Sequence, residues 1–130
     1  MKTLRALFLA LLLISGASAQ DVLPFGVTLG GQSAAMVDGD TVFAHFPAAI
    51  PAGAAMGVKG ATGQVIVNIF PSDSKGVVAQ GVQPAILLFD AGATKSIDAN
   101  MNSKKLAPGW YSANVVAGAA GTSRVLFQIK

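Results

Sequence analysis

The chain has 130 residues, 52% apolar and only 12% charged, with nine Lys and Arg against six Asp, no Glu and no Cys. The absence of cysteine excludes disulfide scaffolds, thiol catalysis and thiolate metal sites together. The net charge of +3 rests on dispersed cations, whereas nucleic-acid binding needs a clustered phosphate-neutralising patch.

Residues 1–19 read as a cleavable secretory signal. Lys2 and Arg5 precede an unbroken apolar stretch from Ala6 to Ile14, and Ser15, Gly16, Ala17, Ser18 and Ala19 are all small. Ala17-Ser18-Ala19 has the A-x-A form that a signal peptidase accepts, so cleavage is expected before Gln20. The apolar stretch is too short for a membrane anchor, which needs roughly 20 apolar residues. No cysteine follows it to carry a lipid. The expected mature chain, residues 20–130, keeps seven cations against six Asp, a net +1. A domain of this length buries enough apolar surface to fold without disulfides. Periplasmic or secreted location is the expectation, and the lack of any N-x-S/T sequon is compatible with a bacterial source.

Taken in order, the mature segments read as strands punctuated by turns. Val22 to Leu29 is an apolar strand candidate with a proline near its start, ended by Gly30-Gly31. Ala34 to Val37 and Thr41 to Phe46 flank Asp38-Gly39-Asp40, the pattern of a hairpin. Pro47 and Pro51 bracket an irregular connection, and Gly53 to Gly63 carries little bulk for a core. Gln64 to Phe70 is β-branched and bounded by Gly63 and Pro71, which predicts a strand. After the polar loop Ser72 to Gly76, Ala85 to Phe89 predicts another strand, and Thr94 to Asp98 a short edge strand. Asp98 to Lys105 is polar and is the one place where a helical turn competes with loop.

The C-terminal part is the most legible. Leu106 to Tyr111 contains a Pro108-Gly109 turn, Tyr111 to Ala117 is a strand, and Gly118 to Gly121 turns it onto Thr122 to Ile129. There Val125, Phe127 and Ile129 alternate with Arg124, Gln128 and Lys130, the period of a half-buried strand, while Leu126 breaks the polar row and is expected to meet a neighbouring element. Seven or eight short strands with regular turns predict an all-β fold, a sandwich in preference to a barrel. Ala52 to Ala55 and Ala117 to Ala120 each precede an apolar strand, but the spacers differ and no repeat is inferred.

The stretch Leu106-Ala107-Pro108-Gly109-Trp110-Tyr111 with the strand, Gly-rich turn and final strand that follow resembles the last hairpin of bacterial immunoglobulin-like domains. The resemblance implies an immunoglobulin-like β-sandwich of seven to eight antiparallel strands, in which the Tyr111 hydroxyl bonds back to upstream backbone as a tyrosine corner. The same stretch is similar to the C-terminal sorting domains of type IX secretion cargo, which would leave too little chain for a separate passenger domain. Neither resemblance brings functional residues with it.

No catalytic signature is present: one histidine, no cysteine, no glutamate, and no G-x-S-x-G, P-loop or H-E-x-x-H motif. The aspartates fall mostly at predicted turns, where local hydrogen bonding favours them. Thioether and imidazole ligands suit Cu(I), so His45, Met36, Met56 and Met101 form a conceivable copper set; they lack clustered spacing, and methionines more often fill cores. Asp38-Gly39-Asp40 offers too few oxygens for a calcium loop and reads as a turn. Trp110 and Tyr111, the only Trp and Tyr, are candidate partner contacts, or else one ring points inward and the other covers a turn.

A binding or accessory module without a cofactor, meeting another protein through loops or an edge strand, is the leading expectation. The alternative is a structural subunit that pairs with copies of itself along weakly charged edges such as Gln64 to Phe70 or Thr122 to Ile129, the latter carrying edge charges at Arg124 and Lys130.

Overall fold

The computed structural model describes residues 22–130, so the expected signal and its cleavage point lie outside the described residues. Among the described residues there are ten strands: β1 (Gly26–Leu29), β2 (Gln32–Ser33), β3 (Ala35–Met36), β4 (Ala44–His45), β5 (Ala55–Lys59), β6 (Gln64–Ser72), β7 (Ala85–Asp90), β8 (Thr94–Ser96), β9 (Gly109–Val116) and β10 (Thr122–Ile129). A 3-10 turn at Gly118–Ala120 joins the last two. They form a four-stranded sheet, β2-β1-β5-β8, and a six-stranded sheet, β3-β4-β10-β9-β6-β7. Neighbours run antiparallel except β4 and β10, which pair in parallel with Ala44 beside Val125. No helix among the described residues is long and apolar enough to cross a membrane.

The two sheets share one core, as in a β-sandwich. Alternation supplies it: Val65, Val67 and Ile69 of β6 are fully buried, while Gln64, Ile66 and Asn68 turn to the outer face. Val27 and Leu29 of β1, Met56 and Val58 of β5, and Val115, Val125 and Phe127 of β9 and β10 join the same cluster. Each such side chain contributes about 1.5–3 kcal/mol on removal from water. Tyr111 stacks on Phe127 with ring centroids 5.7 Å apart, and Phe46 meets Phe127 edge-on at 6.4 Å.

Several expectations need correction. Strand structure begins at Gly26 rather than Val22, and Gly30-Gly31 makes a hairpin by pairing Leu29 with Gln32. Both glycines sit at positive φ (59° and 80°), as a type I′ hairpin turn requires. The segment Gly53 to Gly63, read as too light for a core, holds β5, with Met56, Gly57 and Val58 buried at the centre of its sheet. Gly57 is small because it must be: an added Cβ would lie 3.0 Å from Thr28 Oγ1 and 3.1 Å from Thr94 Cγ2 on the flanking strands. The hairpin around Asp38-Gly39-Asp40 is real, but only Ala35–Met36 and Ala44–His45 pair, leaving 37–43 as a loop. Strand β6 runs through Pro71 to Ser72. The Asp98 to Lys105 stretch is turns and loop.

The largest correction concerns edges. Neither β6 nor β10 is an edge strand: β6 lies between β9 and β7, and β10 between β4 and β9, so Arg124 and Lys130 are not edge charges. The true edges are short or occupied. At one side lie β2 and β3, two residues each, joined through Ala34 as the chain passes from one sheet to the other. At the opposite side, alternate carbonyls of the β7 edge are taken: Asn102 Nδ2 donates to Pro84 O (3.1 Å), Met101 N to Ile86 O (2.8 Å) and Lys95 Nζ to Leu88 O (3.0 Å).

Candidate functional site

The outer face of the six-stranded sheet is covered at one end by two loops. Cross-strand register places Phe70, Ser112, Leu126 and His45 in one row of β6, β9, β10 and β4. Leu126 is buried, although it faces away from the core, because the 37–43 loop and the Ser74-Lys75 turn close over it. Between these loops lies a shallow depression of about 450 Å³, lined by Asp38 to Phe43, Ser74, Lys75 and Leu126.

One carboxylate organises the first loop. Asp40 Oδ1 accepts the backbone N–H groups of Val42 (3.0 Å) and Phe43 (3.1 Å), and Oδ2 accepts from His45 Nε2 at 2.5 Å. The His45 ring therefore carries its proton on Nε2 when Asp40 is ionised, since a carboxylate only accepts. Burial opposes the charge on Asp40, but the two backbone N–H groups and His45 outweigh it and hold the carboxyl below its ordinary range. The second loop repeats the device: Asp73 Oδ1 accepts from Lys75 N (2.8 Å) and Val77 N (3.0 Å), and these bonds hold its carboxyl low as well.

The copper set is not brought together. Met36 lies on β3, at one edge of the six-stranded sheet, and Met101 is 65% exposed beside β7, at the other. Met56 is buried in the core on the four-stranded sheet, and His45 is engaged with Asp40. Among the described residues no three His, Cys, Asp or Glu side chains gather as metal ligands. Trp110 and Tyr111 do not form one platform. Tyr111 points into the core at 7% exposure, burial raises its phenol pKa, and its hydroxyl donates to Ala107 O (2.7 Å). Trp110, half-buried, takes the opposite side of β9, level with Ser72 and Gln128.

Sequence reasoning missed the exposed valines. Val37, Val42, Val77, Val78 and Val82 are 40–65% exposed, and all five belong to the loops 37–43 and 73–84. A run of valine between Gly76 and Gly81 without strand alternation is the available signal. The chain matches no family model, no curated protein and no solved structure.

Proposed function

We propose that the protein is an exported, periplasmic or secreted binding module of immunoglobulin-like type, which recognises another protein through the loops 37–43 and 73–84. The observation that carries this reading is the concentration of exposed large apolar side chains on those two loops: five of seven among the described residues. Scattered exposed apolar residues are ordinary, and it is their concentration on two loops joined by the Phe43–Gly76 contact that favours an interaction surface. The Asp40 and Asp73 hydrogen bonds fix both loops from within, which lowers the ordering cost of binding. The Tyr111 hydroxyl bond to Ala107 O, four residues upstream, has the geometry of a tyrosine corner and supports the immunoglobulin-like assignment.

Self-assembly is the other reading. Apolar loops fit a second copy as well as a different protein, but short edges and occupied edge carbonyls weigh against strand-to-strand pairing. The test is a photo-crosslinking residue placed at Val42 or Val77 of the exported protein, with Thr62 as a control on the far side of the fold. Discrete adducts from the two valine sites alone are expected. Equal labelling at all three sites, or none, would defeat the reading, and an adduct of twice the chain mass would favour self-assembly.

A further inference from the structure

We propose that the groove between the 97–107 loop and the start of β7 binds a small organic anion, a carboxylate on a compact apolar body. The groove has a volume of about 250 Å³; Ile69, Ala85 and Tyr111 form its buried apolar floor, and Lys104 and Lys105 stand at its rim. No carboxylate lines it. Asp98 stands beside the groove: its charge acts on the Tyr111 phenol, while Oδ1 accepts the Leu106 N–H at 3.0 Å and Oδ2 faces Gly53. Volume selects the ligand's size, since sites for drug-sized molecules occupy roughly 300–1,000 Å³. Charge selects its sign, and the buried floor selects an apolar body.

The frame around the lysines is rigid. Asn100, buried, donates through Nδ2 to Ile97 O and Lys104 O and accepts through Oδ1 from Asn102 N and Lys104 N. Met101 N, Asn102 Nδ2 and Tyr111 OH add anchors to Ile86 O, Pro84 O and Ala107 O. Ser103 alone among the described non-glycine residues has a positive φ, 53°, immediately before the two lysines. Strained backbone held by a tight surrounding network is a mark of functional positions. A plain connection from β8 to β9 needs neither the strain nor two adjacent cations over an apolar floor.

This inference does not rest on the valine-loop reading: Val82 and Gln83 at the end of loop 73–84 line the groove, but the lysines that would hold the anion lie outside those loops. Calorimetric titration of the exported protein with 4-ethylbenzoate, 4-ethylbenzamide and inorganic phosphate tests it. Saturable one-site binding of the acid is expected in the micromolar-to-millimolar range, with the amide and phosphate about tenfold weaker or more. Lys104→Ala with Lys105→Ala weakens the acid about tenfold and leaves the amide unchanged, whereas Lys59→Ala leaves both unchanged. The lysines are exposed, so the double variant is expected to melt like the parent. Equal binding of acid and amide, acid binding indifferent to the double variant, or no saturable heat at millimolar acid would overturn the proposal. None of these outcomes bears on crosslinking at Val42 and Val77.

Discussion

The ring of Phe43 fills the space that a side chain on Gly76 would need: an ideal Cβ there would lie 2.3 Å from Phe43 Cε2. This contact joins the two loops over Leu126. Gly76 also sits at φ 87°, so any other residue is strained there whatever the space. Gly76→Ala is expected to cost about 1–3 kcal/mol, read as a lower urea midpoint. Amide exchange should quicken in both loops rather than in β6 and β9. An unchanged midpoint would mean that the loops are not coupled through this contact.

Tyr111→Phe keeps the ring against Phe127 and removes only the hydroxyl bond to Ala107 O. The expected loss is about 1 kcal/mol. The alkaline limb gives a second reading. Because the folded pKa of Tyr111 is raised above 10.0, the folded state binds a proton that the unfolded state releases first. Its contribution is fully present below pH 10 and is lost as pH rises beyond it. The parent should therefore lose stability above pH 10 more steeply than Tyr111→Phe in parallel denaturant titrations.

Asp40 works in the opposite direction. Its folded pKa lies below the ordinary 3.8, so its contribution is present above pH 3.8 and is lost as pH falls through the folded value. Asp40→Asn should flatten this acid limb. Loop 37–43 of the variant should be cut faster by a protease at neutral pH, while the core stays protected. A variant with the parent's acid limb would assign that limb to other carboxylates.

Light scattering of residues 20–130 across a concentration series should give the mass of one chain throughout. Lys95→Ala frees Leu88 O on the β7 edge and is expected to raise association at high concentration only modestly, because the Met101 and Asn102 bonds remain. Growth of the parent with concentration would transfer the functional reading to self-assembly.

The elements most legible in the sequence are those whose alternation is a local property. β6, β7, β9 and β10 carry bulky residues at every second position, and the observed strands follow them closely. β5 is hidden because its central residue must be glycine to fit between Thr28 and Thr94, a demand made by strands far away in the chain. β8 is the short edge strand that Thr94 to Asp98 predicts, but the interior positions of β6 and β10 were illegible for a related reason: they depend on pairings such as Ala44 with Val125, which no local pattern encodes. The candidate sites divide in the same way. Lys104-Lys105 and the Tyr111 hydroxyl bond can be anticipated from neighbouring residues. The apolar floor under the lysines comes from Ile69 and Ala85, and the Asp40–His45 pair depends on how the loop turns.

The six-stranded sheet remains incomplete until β10 is in place. β10 separates β4 from β9, and even the terminal Lys130 donates its backbone N–H to Ile50 O. The β2-β1-β5-β8 sheet and the β6-β7 hairpin use pairings available before β9 exists, whereas β3 and β4 join the rest of their sheet only through β10, a long-range pairing of the kind that slows folding. The six-stranded sheet is therefore the last part of the fold to close.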